Sequence, residues 1–219
     1  MKFSTGFPGV MRYPPEEFTP GRDHWQDRLT VHDFQRIART AEDLGYDSLN
    51  VSEHLVMPKD LAVAMGAYWV DAFTVMSFIA GATTRIRVNS SVIVMPYHHP
   101  VQFAKAVATL DVLSGGRVTI TVGAGMARGE FAALGVPFEQ RGRITDEYLD
   151  AMKVLWTEAS PSSTGGTSTS PMCCSNRSRS SNRTRRCGLA AARWPRCAVQ
   201  RAWATGGCRA GRRAARGRG

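Results

Sequence analysis

The sequence predicts an α/β fold in which parallel strands are joined by helices. Short β-prone runs alternate with helical runs along residues 1–158, in the order β-α-β-α-β-α-β-α. Such alternation is typical of parallel strands with helical crossovers. No G-x-G-x-x-G follows the first strand, which weakens the case for an open dinucleotide-binding sheet. Because a closed barrel needs eight strands and this pattern supplies half of them, an open sheet and part of a (β/α)₈ barrel remain alternatives.

The first elements are two strands, each followed by a helix. Residues 2–7 are a short β-prone run, and a capping box that begins at Thr30 precedes an amphipathic helix that ends at Gly45. Residues 48–51 predict the second strand. Residues 69–82 predict a buried helix, because they are apolar on most sides. The apolar face of the first helix has helical spacing and consists of Phe34, Ile37, Ala38, Ala41 and Leu44.

The next elements repeat this alternation. Residues 86–95 predict the third strand. Pro100 occupies a position favoured at a helix start, and the helix that it opens ends at Gly115. Residues 117–122 predict the fourth strand, and the apolar spacing over residues 141–156 predicts a further helix.

The chain has two parts of different composition. Residues 1–158 hold 15 Lys and Arg, all 18 acids and no cysteine, whereas residues 159–219 hold 13 Arg, no acid and all five cysteines. An arginine arm of this kind can bind nucleic acid, but here no aromatic residues are interleaved for base stacking. The cysteines lack the spacing of zinc ligands and have no histidine nearby in sequence. We therefore expect neither a nucleic-acid partner nor a metal site.

No segment predicts export or membrane insertion. Residues 1–6 lack the apolar run of a signal peptide, and the most apolar stretch, residues 69–82, is too short and too interrupted by polar residues to span a bilayer. The cysteine-free first part suits a reducing compartment. We expect a cytoplasmic protein without a membrane partner.

Six segments of the first part carry a recognisable set of motifs: Ala41–Leu49, Ser52–His54, Ala82–Val88, Ala108–Val118, Val122–Gly125 and Glu130–Phe138. Together they resemble the luciferase-like flavin and deazaflavin oxidoreductases. The resemblance implies that residues 1–158 are the N-terminal half of a (β/α)₈ barrel, with four βα units. It leans toward the branch that uses the deazaflavin coenzyme F420 to transfer hydride to or from a small organic substrate, and a full-length chain would then form a homodimer. The alternatives are an FMNH₂-dependent monooxygenase on the same scaffold and, in another class, a non-catalytic basic-tailed interaction protein or the product of a dead gene.

The resemblance also implies catalytic residues at the carboxyl ends of the strands. His54 is expected to donate or accept a proton as hydride moves, with Glu53 orienting it; the alternative is that His54 only caps a loop. Met126 stands where some family members carry an acid, which argues against a sugar-phosphate dehydrogenase. His98 and His99 are expected in a surface loop, because no third metal ligand accompanies them.

The coenzyme-binding residues implied by the resemblance lie on the third and fourth strands. A cis peptide between Ser91 and Val92 is expected behind the coenzyme ring, the alternative being an ordinary buried strand. Gly123, Ala124 and Gly125 end the fourth strand, where their small side chains would let a flat ring approach the backbone. Glycines at a strand end are also common turn residues.

Residues 159–219 are expected to be an out-of-frame reading of the same gene and to have no fold. If one base was lost near codon 159, a free choice of third bases restores an aromatic strand, a Pro-rich loop and an amphipathic helix, similar to what the family carries there. The printed tail has no acid and no apolar periodicity, so it cannot offset the entropy of ordering. The printed chain would then be a truncated, inactive enzyme.

Overall fold

The computed structural model describes residues 2–8 and 28–157, together with the backbone of residues 198–201. Most of the predicted tail, 159–219, lies outside the described residues. The strands are β1 (Ser4–Gly6), β2 (Ser48–Val51), β3 (Arg87–Ser90), β4 (Ile93–Val94), β5 (Val118–Gly123) and β6 (Ala198–Arg201). The helices are α1 (Val31–Asp43), α2 (Lys59–Met65), α3 (Ala72–Ala82), α4 (Pro100–Ser114), α5 (Arg128–Leu134) and α6 (Arg141–Thr157).

The described strands form one parallel sheet that follows the order of the chain. β1 lies beside β2, β2 lies beside β3, and β3 and β4 both lie beside β5. β3 and β4 are therefore two pieces of one strand position. A doubly wound sheet reverses its strand order at a switch point, whereas successive strands of a barrel stay adjacent. The sequential order confirms the predicted half-barrel over the described residues.

The third strand position is interrupted where the resemblance implied it. The peptide bond between Ser91 and Val92 is cis, so the predicted strand 86–95 is observed as β3 and β4. The Ser91 N–H donates to the carbonyl of Val51 at 2.7 Å, at the carboxyl end of β2. The interruption thus lies at the edge of the sheet where β2 also ends.

Side-chain caps fix the starts of two helices. The Asp33 N–H donates to the Thr30 hydroxyl at 3.3 Å and the Thr30 N–H donates to the Asp33 carboxylate at 3.0 Å, which confirms the predicted capping box of α1. The Asp71 carboxylate accepts from the Thr74 N–H at 2.7 Å and caps α3. The predicted helix over 69–82 therefore starts too early, because the chain before Asp71 is extended rather than helical.

Two short helices were not predicted from the sequence. α2 and α5 have seven residues each and lie in the loops after β2 and β5. Helices of this length are too short to show a helical period of apolar residues. α2 buries none of its residues, whereas α5 buries Glu130 and Phe131. Within the described part of the chain, no helix is both long and apolar enough to cross a membrane.

The apolar core fills the space between the sheet and the helices. Alternate strand residues face the helices, and the other residues form the opposite, polar face of the sheet. On that face the Asn89 amide donates to the Asn50 side chain at 2.9 Å, and the Thr121 hydroxyl donates to the Asn89 side chain at 3.1 Å. This polar row links β2, β3 and β5. Fully buried members of the core include Leu49, Val88, Ile120, Met76, Ile79 and Val107.

β6 lies within the segment that was expected to have no fold. Its backbone runs parallel to β5, with Ala198 beside Thr119 and Arg201 beside Val122. A strand at the edge of a sheet offers unpaired N–H and C=O groups to any backbone that can reach it, which is the physical reason for this pairing. The expectation does not hold for these four residues. For the rest of 159–219, outside the described residues, it stays a prediction.

Candidate active site

Three loops meet at the carboxyl edge of the sheet, the edge at which barrel enzymes carry their sites. They follow β2, β4 and β5, and Met95–Tyr97 forms a single 3₁₀ turn in the second of them. The third loop leads into α5, whose first turn carries Glu130. Together the loops form two carboxylate–imidazole pairs, His54–Glu130 and Glu53–His98, and the Tyr97 hydroxyl adds a hydrogen bond to Glu130.

The first pair joins His54 to Glu130. The Nδ1 atom of His54 lies 2.9 Å from the Oε2 atom of Glu130. Only 11% of the His54 side chain and 1% of the Glu130 side chain are exposed. A carboxylate and an imidazole at this distance in a buried site form a strong, charge-assisted hydrogen bond. The acidic partner of His54 is therefore Glu130.

Glu130 accepts hydrogen bonds from further donors. Its Oε1 atom accepts from the N–H groups of Leu55, at 2.7 Å, and Val56, at 3.3 Å. Its Oε2 atom also accepts from the Tyr97 hydroxyl at 3.0 Å. Burial by itself raises the pKa of Glu130, but the hydrogen bonds from His54, Leu55 and Tyr97 and the attraction of His54 outweigh it and hold the pKa below its usual value. Glu130 is therefore an ionised acceptor at neutral pH.

Tyr97 is held as a proton donor. Burial, followed by the negative charge of Glu130 and the hydrogen bond to it, raises the pKa of Tyr97 well above its ordinary value. Its ring packs edge-on against Phe131, with the centroids 5.0 Å apart. Tyr97 thus stays protonated and in place beside Glu130.

The second pair joins Glu53 to His98. Glu53 is fully buried, and its Oε1 atom lies 2.8 Å from Nε2 of His98. Its Oε2 atom accepts from the N–H of Val94 at 2.7 Å. The expectation that Glu53 orients His54 is wrong, because the two Glu53 oxygens bind His98 and Val94 while Nδ1 of His54 pairs with Glu130. Glu53 fixes the loop after β4 instead.

His98 lies in a loop, as expected, but it is more buried than a surface residue. Its ring stacks on Phe103, with the centroids 4.6 Å and the planes 26° apart, and 19% of its side chain is exposed. His99 is exposed, as expected. The described residues contain no group of three or more His, Cys, Asp or Glu that could hold a metal ion.

The glycines at the end of β5 serve internal packing. A Cβ atom on Gly123 would lie 2.9 Å from Cγ2 of Val92, and one on Gly125 would lie 2.7 Å from Cγ1 of Val94. Gly125 also has a φ of +85°, which side chains disfavour. The space that was expected to admit a coenzyme ring at these two positions is therefore filled by valine side chains. Ala124, between them, is partly exposed.

The remaining surroundings suit a flat heteroaromatic ring. The Trp69 indole meets the His54 imidazole edge-on at 4.5 Å, and its Nε1–H donates to the Gly66 carbonyl at 3.2 Å. Ser91 and Met126 are exposed at the ends of their strands. A site with aromatic and apolar surfaces and few placed polar groups is typical for a planar coenzyme. These surroundings suit the planar ring of a coenzyme.

Glu130, Tyr97 and Trp69 were not predicted as site residues. Some family members carry an acid at the position of Met126, but here the acid that reaches the site is Glu130, in the next helix. A signal was available, because Glu130 opens one of the segments that carry the family resemblance and directly precedes the apolar Phe131. Tyr97 and Trp69 stand in no such pattern.

The chain matches a known protein family along most of its length. The family model of luciferase-like monooxygenases matches residues 10–206. The matched range includes both carboxylate–imidazole pairs and continues past residue 158, where the composition changes.

Two relatives show how much of a complete family member this chain covers. An uncharacterized protein of Mycobacterium tuberculosis is 35% identical over 133 residues, which are 55% of this chain and 47% of that protein. The 4-hydroxyprotoasukamycin monooxygenase of Streptomyces nodosus subsp. asukaensis is 34% identical over 145 residues, which are 65% of this chain and 34% of that protein. The chain thus spans about half or less of the length of these relatives.

Solved structures also match most of this chain but less than half of their own length. The monooxygenase RslO1 of Streptomyces bottropensis superposes with a TM-score of 0.61 and 25% identity, over 77% of this chain and 47% of that one. The oxygenating constituent of 3,6-diketocamphane monooxygenase of Pseudomonas putida, solved with FMN, superposes with a TM-score of 0.61 and 21% identity, over 78% of this chain and 43% of that one, and shows a shared fold. From its matched range, its sequential parallel strands and these relatives, we conclude that the chain belongs to the luciferase-like monooxygenase family.

Proposed function

We propose that the complete form of this protein is an oxidoreductase that uses a flavin or deazaflavin coenzyme on a small organic substrate. The observation that carries the proposal is the buried His54–Glu130 pair at the carboxyl edge of a parallel half-barrel, 2.9 Å apart. An imidazole fixed in such a place can transfer a proton near neutral pH. Family membership supports a redox reaction.

The site residues of this chain would have different roles in the reaction. A bound flavin or deazaflavin would supply the electrons or the hydride. His54 would give a proton to the substrate or take one from it, and Trp69 would hold the imidazole ring in place. Ser91 and Val92 would contact one face of the coenzyme ring, with the partly exposed Ala124 beside them.

The identity of the coenzyme separates two candidate functions. The motifs of residues 1–158 resemble the branch that uses coenzyme F420, which favours hydride transfer. The Pseudomonas putida structure with the same fold holds FMN, which favours a reduced-FMN monooxygenase. In the second case oxygen becomes a substrate, and one of its atoms ends in the product.

We also propose that most of residues 159–219 is an out-of-frame reading. Two observations support this proposal. The tail has 13 Arg and no acid. With one base restored near codon 159, the same stretch gives a sequence that resembles the family. By the resemblance, the later strands and loops of the barrel hold the coenzyme phosphate, and barrels generally place phosphate sites there. The printed chain would then keep the proton-transfer residues but lack the phosphate site.

A fluorescence titration tests these proposals. FMN and coenzyme F420 are each titrated into the 219-residue chain and into the chain with one base restored near codon 159. We expect the restored chain to bind one of the two tightly and the printed chain to bind neither, since it lacks charge-assisted phosphate hydrogen bonds and a preorganised pocket.

Each other outcome has a definite meaning. Micromolar binding by the printed chain would show that its tail completes the site and would overturn the frameshift proposal. Absence of binding by both chains would overturn the oxidoreductase proposal and favour a dead gene product. DNA binding that falls steeply with salt would favour the basic-tailed interaction protein.

A further inference from the structure

We propose that Glu130 is a positioning residue that keeps the proton of neutral His54 on Nδ1, so that Nε2 is the nitrogen that exchanges a proton with the substrate. The exchange with substrate rests on the proposed function, whereas the position of the proton follows from the site itself. Tyr97 and the backbone N–H groups of Leu55 and Val56 hold Glu130 in place.

The position of the proton follows from the donors around Glu130. The backbone N–H groups of Leu55 and Val56 can only donate, and the Tyr97 hydroxyl also donates to this carboxylate. Their combined effect favours the ionised form of Glu130, which has no proton to give. At 2.9 Å from Oε2, the Nδ1 atom of His54 must therefore be the donor, because two acceptors at that distance would repel.

Nε2 of His54 is the ring nitrogen that remains for proton exchange with a substrate. A neutral imidazole with its proton on Nδ1 carries a lone pair on Nε2. Among the described residues, none forms a hydrogen bond with Nε2 of His54, and the indole of Trp69 lies edge-on to its ring at 4.5 Å. A base can take a proton only through a lone pair that no protein group already uses. Nε2 is thus the atom that can face a substrate.

Glu130 also fixes the chain that carries His54. Its Oε1 atom binds the two backbone N–H groups that directly follow His54, so one carboxylate holds both the ring and the loop. α5 anchors this carboxylate, since Phe131 beside it is fully buried. A second reading is that Glu130 only satisfies buried N–H groups, and the experiment must separate the two.

Nitrogen-15 NMR of the imidazole rings distinguishes the positioning role of Glu130 from a purely structural one. The chain has five histidines, so the signals of His54 can be assigned by their loss in His54→Ala. The spectra are recorded at alkaline pH, and a ring with one pyrrole-type and one pyridine-type nitrogen is neutral. We expect a pyrrole-type shift for Nδ1 and a pyridine-type shift for Nε2. The reverse assignment in the unaltered chain would overturn the proposal, whatever the variants do.

Glu130→Gln is the informative variant, because glutamine has the same shape. Its carbonyl can still accept from Leu55 and Val56, but its NH₂ group would then face Nδ1 as a donor. We expect the proton of His54 to move to Nε2, so that the two nitrogen shifts exchange. An unchanged tautomer in a folded Glu130→Gln protein would show a structural role only and would overturn the proposal.

Two matched variants serve as controls. Glu53→Gln alters the other carboxylate–imidazole pair, so we expect the His98 signals to change and those of His54 to stay. Tyr97→Phe removes one donor to Glu130 but keeps the His54 contact, so we expect no exchange of the His54 shifts. An exchange in Tyr97→Phe would contradict the role assigned to Glu130.

The outcome is independent of the proposed activity. If the shifts behave as expected while His54→Ala remains fully active in the restored protein, the positioning of the ring stands and the proton-transfer function fails. If the unaltered chain has its proton on Nε2 while His54→Ala loses activity, the function stands and the role of Glu130 fails.

Discussion

The carboxylate of Glu53 binds the imidazole of His98 at 2.8 Å, although Glu53 is the sequence neighbour of another histidine, His54. The same carboxylate accepts from the N–H of Val94, at the carboxyl end of β4. Glu53 therefore ties the end of β2 to the strand and loop that follow the cis peptide. Its role is to hold this part of the site together.

Glu53→Gln should destabilise the protein. Glutamine can still accept from Val94, but it loses the charge that pairs with His98 in a buried place. We expect the free energy of unfolding to fall by about 1–3 kcal/mol, the usual cost of weakening a buried charge-assisted hydrogen bond. Urea denaturation of both proteins measures this.

The control for that variant is an exposed ion pair. Glu139 pairs with Arg128 at 2.7 Å, but both side chains are largely exposed. Glu139→Gln should therefore change the free energy of unfolding by less than about 1 kcal/mol. Equal losses in the two variants would contradict the buried role of Glu53.

Glu42 should make stability depend on pH in the acid range. Burial raises the pKa of Glu42, but backbone hydrogen bonds from Ile86, Arg85 and Thr84 overcome this effect and lower the pKa to about 2. A depressed folded-state pKa stabilises the protein above the unfolded pKa, near 4.5, and this contribution is lost as pH falls toward about 2. We expect Glu42→Gln to be less stable than the unaltered chain near neutral pH, by about 1–3 kcal/mol, and the difference to shrink in that window.

Asp43 provides the control for this pH dependence. It follows Glu42 in the chain and pairs with Arg85 at 3.1 Å, but 73% of the Asp43 side chain is exposed. Asp43→Asn should have a small effect, below about 1 kcal/mol, at every pH. Unfolding curves from pH 2 to 7 compare the three proteins, and a pH-independent difference for Glu42→Gln would refute the account.

Gly123→Ala should disturb the third and fourth strands. The added Cβ would lie 2.9 Å from Cγ2 of Val92, so the valine or the strand must move. We expect a loss of about 1–3 kcal/mol in the free energy of unfolding, typical of overpacking. Gly81→Ala, in α3, meets no atom within 4 Å and should be neutral or slightly stabilising. A neutral Gly123→Ala would show that the contact with Val92 relaxes freely.

The sequence predicted those elements of the fold that depend on interactions between residues close together in the chain. The capping box at Thr30, the strand 48–51 and the helix from Pro100 depend on neighbours along the chain, and all three are observed. α2 and α5 were missed because a seven-residue helix has no period to read. The break of the third strand came from the family resemblance and not from periodicity.

The site was predicted less completely, because its contacts join distant segments. The sequence predicted His54 as a site residue but favoured the neighbouring Glu53 as its partner, whereas the partner is Glu130. Sequence proximity favours such a pairing, but the actual partners come from other loops. Only the sheet, which brings the ends of β2, β4 and β5 together, pairs His54 with Glu130 and Glu53 with His98.

The most direct measurement of the central claim is the turnover of His54→Ala in the chain restored near codon 159. It is measured with the coenzyme identified by titration and the substrate on which the restored protein is most active. We expect turnover to fall by about 10²–10⁴, the range for loss of a general acid or base, while the coenzyme Kd changes much less. Full activity of His54→Ala would contradict the account, because no proton would then pass through the imidazole that Glu130 holds.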